Sequence, residues 1–434
     1  MRQPVASRLP QRAAFGAAMA LAFAAPVGAV RAQTAPPVAI AAHSEVQGRQ
    51  TRLSFTLQSC VKTEAYLLGG PARAVIDLPE VNFQIDPAAG APAPAAATGI
   101  HPKGAAAPTA GLIASFRFGR LGPGKSRIVA DLAGPAEIVS VACVPVPGAA
   151  ELTLVLAPST ESAFKAAARA GARRQALADA PPPALPAPSP SDKPVVVIDP
   201  GHGGVDSGAL GRNHAVEKSI VLDFAKALGA RLSADGRYRV VFTRDDDRFI
   251  SLGERTRLAR RLNAALFVSV HADSLRRADD VSGATIYTVS DRASDAEAAR
   301  IAEHENMADS SAGEETQQDS GDVNDILLDL TRRETRAFSG VFARSLGEYF
   351  KVAARLNKNP RRSAGFVVLK SPDVPSVLLE LGYLSNARDV ADLTSPDWRA
   401  KAAAQVAKAI DHFFAEQRPP AAAAALKATQ SAGN

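Results

Sequence analysis

The sequence predicts two domains of different class: an N-terminal all-β domain and a C-terminal α/β domain with a twisted, mostly parallel sheet flanked by helices. Three observations carry this. Short alternating apolar runs recur between residues 38 and 158, among them TRLSFTL, ARAVIDL, SRIVADL and ELTLVL, and they read as half-buried strands. The stretch PPPALPAPSPSDKP, residues 181–194, has the composition of a semi-rigid linker. Beyond it, VVVIDPGHGG at residues 195–204 drives branched apolar residues into a glycine-rich turn, the pattern of a buried parallel strand delivering a histidine to a functional rim.

A length of 434 residues suits two domains of ordinary size. Residues 1–32 contain Arg2, Arg8 and Arg12, an alanine-rich apolar core and then Val30-Arg31-Ala32, which predicts a signal peptide cleaved after Ala32. Loss of its four arginines, with no acid among them, takes the formal charge from +6 to +2 and withdraws support for nucleic-acid binding. No other stretch is long and apolar enough to predict a transmembrane segment in the mature chain. Cys60 and Cys143 both fall in the β region, and an exported chain leaves two readings open: one disulfide or two buried thiols.

In chain order, the β domain covers residues 38–158 and includes an Ala/Pro/Gly-rich loop at 88–110; an Ala/Pro-rich linker follows at 159–194. The α/β domain covers residues 195–417. Its first strand leads to a helix at 217–232 with Ile220, Val221, Phe224 and Leu228 on one face. A strand at 238–243 precedes a helix opened by Ser251 and Glu254 in capping-box spacing. Strands at 266–270 and 283–289 come next. Phe338, Phe342, Leu346 and Phe350 mark a long helix, AGFVVLK and SVLLEL two strands, and Val406, Ile410 and Phe413 the last helix. The tail at 418–434 is expected to be disordered. Residues 290–335 interrupt the alternation with an acid-rich insertion, helical around 296–308 and 323–332. Its length predicts a lid, a binding loop or disorder.

Ligands of open α/β sheets bind beyond the carboxyl ends of the strands. His202 follows the first strand, Glu217 opens the next helix, and His271 stands toward the end of LFVSVHAD. Two histidines and a glutamate form a ligand set of zinc hydrolases. His214 is a rival in the same loop, read as a substrate contact or surface residue. Glu380 interrupts the apolar strand SVLLELGYLSN near its carboxyl end, where an ionisable group is costly unless paired or functional. It fits the carboxylate that would accept a proton from water and return it to a leaving amine.

DPGHGGVDSGALG, the following Glu217-Lys218, SVHADS and LLELGYLSN together resemble the zinc-dependent N-acetylmuramoyl-L-alanine amidases of the bacterial cell wall, the amidase_3 type, over residues 193–417. The β region resembles the AMIN domain, a β-sandwich that targets such enzymes to peptidoglycan at the division site. The resemblance implies Zn2+ held by His202, Glu217 and His271, with Glu380 catalytic. The implied reaction is hydrolysis of the amide between N-acetylmuramic acid and L-alanine of the stem peptide. It implies for Asp273 a role in supporting the ligands or, in some members, binding the metal. The insertion at 290–335 resembles the regulatory segment of division-type members, in which a helix covers the zinc, and Glu305 in EHENMAD resembles the glutamate that reaches it. An amphipathic helix around residues 326–330 would then dock a LytM-type activator without catalytic activity of its own. The implied setting is the periplasm, in daughter-cell separation.

Overall fold

The computed structural model describes residues 35–91, 111–178, 193–275, 281–314 and 326–417. The predicted signal peptide, the tail after residue 417 and most of the loop at 88–110 lie outside them.

Period-two patterning builds the first domain. Along β2 (Gln50–Leu57), Thr51, Leu53, Phe55 and Leu57 point inward while their neighbours remain half exposed, and β9 (Ala149–Pro158) does the same with Ala150, Leu152, Leu154 and Leu156. These strands join β1 (Val38–Gln47), β5 (Asn82–Phe83) and β8 (Ala136–Val146) in one sheet of order β5-β1-β2-β9-β8. A second sheet, β3-β4-β7-β6, holds β3 (Glu64–Leu68), β4 (Arg73–Pro79), β6 (Ile113–Gly122) and β7 (Lys125–Leu132). The two share one core, with Leu53, Phe55 and Leu152 on one side and Ile76, Phe116, Phe118 and Ile128 on the other. Phe55 meets Phe116 and Phe118 edge to face at centroid separations of 5.8 and 5.7 Å. Of the two cysteine readings the disulfide holds: Cys60 is bonded to Cys143, tying the segment after β2 to β8.

The span 159–194, expected to be linker, contains an 18-residue helix, α1 (Glu161–Ala178). Phe164, Ala168, Gly171 and Gln175 recur at helical spacing and are buried, and Phe164 and Ala168 enter the β core. Alanine-rich composition here reflects a helix lying close on a sheet rather than an extended spacer.

The second domain is a six-stranded sheet of order β11-β10-β12-β15-β13-β14, made of β10 (Val195–Pro200), β11 (Arg239–Phe242), β12 (Leu266–His271), β13 (Ala284–Val289), β14 (Leu356–Ala364) and β15 (Ser376–Glu380). Every pairing is parallel except β13 with β15. Val196, Ile198, Val268 and Val270 face a helical layer of α2 (Glu217–Ala234), α6 (Ile326–Phe350) and α8 (Pro396–Gln417). The alternate residues Val195, Val197 and Phe267 face α3 (Leu252–Arg261) and α4 (Ala296–Asn306). Short helices α5 (Ala308–Ser311) and α7 (Ala387–Leu393) complete the domain. The chain leaves β10 for β11 on one side and returns to β12 on the other, so the crevice between β10 and β12 is the switch point of the sheet.

Two local expectations are corrected. AGFVVLK is not a strand. Its Val367–Leu369 form a 3-10 turn, and the strand is the polar edge segment β14 just upstream, which accommodates Pro360. Phe366, Val368 and Leu369 are apolar because they fill the core against α3 and α4, so their hydrophobicity reports burial without sheet pairing. The second helical piece of the insertion is continuous with the long helix, as α6. The helix at Leu252 does open on Ser251, whose hydroxyl accepts the Glu254 N–H.

The disulfide closes a loop of 83 residues. Replacing both cysteines with serine should lower the stability of the β domain by about 2–4 kcal/mol, read as an earlier transition in calorimetry.

Candidate metal centre

Three segments bring their donors to the switch point. β10 ends in the turn carrying His202, whose φ of 56° lies in the left-handed region that costs a non-glycine residue energy. α2 begins at Glu217, fully buried in its first turn, and β12 ends on His271. Gly201 lets the two histidine strands approach, because a Cβ there would lie 2.3 Å from the His271 ring.

A fourth donor comes from the insertion. Ala298, Ile301, Ala302 and Glu305 form the buried face of α4, so a carboxylate stands at the end of an apolar stripe and points into the crevice. The four donor atoms are mutually close. His202 Nε2 lies 3.2 Å from Glu217 Oε1 and 3.5 Å from Glu305 Oε2; His271 Nδ1 lies 3.3 and 3.0 Å from the same two oxygens. Donors about 2.0–2.1 Å from a tetrahedral ion are separated by about 3.3 Å, so the spacing fits a zinc-sized cation. His202 Nε2, His271 Nδ1 and Glu305 Oε1 have no hydrogen-bond partner, although buried donors and acceptors seldom go unpaired. A borderline-soft dication suits this nitrogen and oxygen set.

The electrostatics agree. Burial disfavours an imidazolium at His202, yet Glu217, Asp206 and Glu305 outweigh it and hold its pKa well above the ordinary value. Burial is likewise outweighed at His271, which Glu305 and Glu217 push up to about 10. Against burial, the two histidines keep Glu217 and Glu305 ionised far below the usual carboxylate range. The cluster thus balances its carboxylates with imidazolium protons, which a bound metal would displace.

Surrounding groups hold the donors. Asp206 Oδ2 is 2.8 Å from His202 Nδ1 and orients the ring. Glu217 Oε1 and Oε2 accept the N–H groups of Ala272 and Ala209, both at 2.8 Å. Below the turn, Arg255 is buried against Asp199 at 2.8 Å and donates to the carbonyls of Pro200 and His202, each at 2.8 Å. Arg244 donates to the carbonyls of Pro200 at 3.1 Å and Gly201 at 2.7 Å. Two guanidinium groups therefore grip the backbone that presents His202 in its strained conformation.

Glu380 lies beside His271 in the register of β12 and β15, fully buried, with Oε2 accepting the Asp273 N–H at 3.1 Å and Oε1 unpartnered. Burial, reinforced by Asp273, Glu217 and Glu305, raises its pKa well above the ordinary value. Asp273 is outside the four-donor group; its Oδ1 faces His304 Nδ1 of α4 at 3.5 Å. His214 is also outside, 80% exposed and 2.7 Å from Asp86 of the β domain.

An α/β domain with a two-histidine, two-carboxylate cluster at its switch point, and a buried carboxyl of raised pKa beside it, defines a metal-binding hydrolase. Residues 196–412 match the amidase_3 family, described as N-acetylmuramoyl-L-alanine amidase. The N-acetylmuramoyl-L-alanine amidase AmiC of Escherichia coli O6:H1 is 30% identical over 381 residues, 84% of this chain and 87% of that one. AmiA of Escherichia coli K12 is 37% identical over 223 residues, 51% and 76% of the two chains. The solved structure of amidase AmiC2 of Nostoc punctiforme is 29% identical, covering 53% of this chain and 100% of that one with a TM-score of 0.38. The chain belongs to the amidase_3 family.

Asp199, Asp206, Arg244, Arg255 and His304 went unnoticed in the sequence. Signals existed for two of them. Asp206 follows His202 by four residues in the same glycine-rich turn, and Arg255 shares the buried face of α3 with Leu252 and Ala259, where a charge is out of place. Asp206→Asn should weaken metal binding about 10–100-fold, measured by chelator competition.

Proposed function

We propose that this chain is an exported, periplasmic enzyme that cleaves the amide between N-acetylmuramic acid and L-alanine of the peptidoglycan stem peptide during daughter-cell separation. Its zinc ligands are His202, Glu217 and His271, and its catalytic glutamate is Glu380. The observation that carries this reading is the convergence of the donor atoms at 3.0–3.5 Å with orphaned nitrogens aimed at their centre. When bound, zinc supplies Lewis acidity toward the scissile carbonyl and lowers the pKa of water. Glu380 takes a proton at its free Oε1 and returns it to the leaving amine, a task suited to a buried carboxyl whose pKa burial raises above the ordinary value. Asp206 and Asp273 keep His202 and the Glu380 carboxylate in place.

Glu305 makes the resting enzyme autoinhibited. As a fourth donor from α4 it would take, on a bound zinc, the place that a catalytic site keeps for water or substrate. Activation then requires α4 to leave, and a LytM-type protein docking on the 290–335 insertion is the proposed agent. Leu330, a large apolar residue exposed on α6 within the insertion, supports such a docking face. The two-sheet N-terminal domain is proposed as an AMIN-like module that binds peptidoglycan. Among the described residues no helix is long and apolar enough to cross a membrane.

Digestion of peptidoglycan should release intact stem peptides with a free L-alanine amine, identified by mass spectrometry, and chelation should abolish release. Peptides cut internally would instead identify a stem-peptide peptidase. Glu380→Gln should retain stoichiometric zinc while lowering kcat by about 10²–10⁴-fold. Glu305→Ala should raise basal release in the absence of any activator.

A further inference from the structure

The chain that follows α4 runs directly into the β domain. α4 ends at Asn306, Met307 stays in the helical region with φ −87° and ψ 0°, and α5 begins at Ala308, so little slack separates Glu305 from what comes next. Asp309 Oδ1 accepts the Leu252 N–H at 2.8 Å and fixes the segment to the start of α3. The carbonyls at and just after the end of α5 are met by side chains of the other domain, that of Ser310 in addition to the Gly313 N–H it accepts at 2.9 Å. Arg73 of β4 donates to the Ser310 carbonyl. Arg127 of β7 donates from Nη1 to the carbonyls of Ala312 at 3.3 Å and Gly313 at 3.1 Å, and Gln175 of α1 donates to Gly313 at 2.8 Å.

The fit is apolar as well as polar. Ala312 is fully buried in a cluster with Val129 of β7 and with Val205 and Phe249 of the amidase domain. Gly313 has φ +71°, and a Cβ there would lie 3.0 Å from Val129 and 3.2 Å from Val75. Arg73, Val75, Arg127 and Val129 lie on the face of the second sheet opposite Ile76, Ile128 and Ala130, which fill the β core. An outer sheet face would ordinarily present arginines to water. Here Arg73 and Arg127 are 1% and 2% exposed, although Asp77, which pairs with Arg127, remains a third exposed.

We propose that the outer face of β3-β4-β7-β6, with Gln175 of α1, is a receptor for residues 310–313 of this chain and holds α4 over the metal centre. The N-terminal domain is thereby part of the inhibitory lock, in addition to any role in wall binding. This rests on the reading of Glu305 as an inhibitory donor. The receptor is specific for a backbone turn: two guanidinium groups and an amide reach main-chain carbonyls, while Ala312 and Gly313 fit only because their side chains are small or absent. Anything that competes for the Arg73 and Arg127 donors or separates the domains favours release of α4.

The test uses the full-length, zinc-loaded chain and dye release from labelled peptidoglycan without activator. Arg127→Leu should raise basal turnover about tenfold, the scale expected for losing charge-assisted hydrogen bonds in a closed–open equilibrium. In a Glu305→Ala background, already released, Arg127→Leu should add nothing. Gln175→Leu, a milder change on α1, serves the same purpose if Arg127→Leu fails to fold, with folding read from calorimetry. Folded clamp variants with unchanged basal turnover, beside a Glu305→Ala variant that is activated, would overturn the clamp and leave the Glu305 lock standing. An equal gain from Arg127→Leu in both backgrounds also overturns it, because the effect would not pass through Glu305. Absence of activation in Glu305→Ala itself would overturn the lock, and the clamp with it.

Discussion

Buried negative charge is the constraint around which the amidase domain is arranged. Asp199, Asp206, Glu217, Asp273, Glu305 and Glu380 are all buried near the carboxyl ends of β10, β12 and β15. Each would be costly there without compensation. The fold answers in tiers. Arg255, with Thr243 and Ser269, satisfies Asp199 beneath the turn. The two histidines sit between Glu217 and Glu305. At Glu380, burial and the neighbouring Asp273, Glu217 and Glu305 instead raise the pKa. A cation at the centre is the economical solution to the whole arrangement, and the geometry follows from it.

Much of this was legible in the sequence, for identifiable reasons. His202, Glu217 and His271 could be placed together because each stands where a strand ends or a helix begins, and parallel topology sends those positions to one edge. Glu380 stood out because a charge inside SVLLEL has no structural excuse. The parts that escaped notice depend on tertiary packing. Nothing local distinguishes Arg244, whose neighbours are loop residues, from a surface arginine; its burial arises only when α2 and the 201 turn close over it. AGFVVLK misled because a 3-10 turn buried between helices and sheet has the same apolar composition as a strand. The alanine run of α1 misled in the opposite way, since small residues serve both linkers and close helix–sheet contacts.

The two parts are distinct in chain order and sheet topology, yet they are joined by packing. The contacts of residues 308–314 belong to both, and Arg120 of β6 adds an ion pair to Asp246 at 3.0 Å. Val205, in the turn that carries His202, packs in the same cluster as Val129 of the β domain. The turn that carries His202 is therefore braced from outside its own domain.

The donors of the metal centre are spread from residue 202 to residue 305, on β10, α2, β12 and α4. No short fragment can present them together, so an ion at this site would bind only a chain whose long-range pairings are already made. Metal occupancy and global folding would then form one linked equilibrium: a free metal ion above its dissociation constant would draw the population toward the native state by mass action, and unfolding would release it.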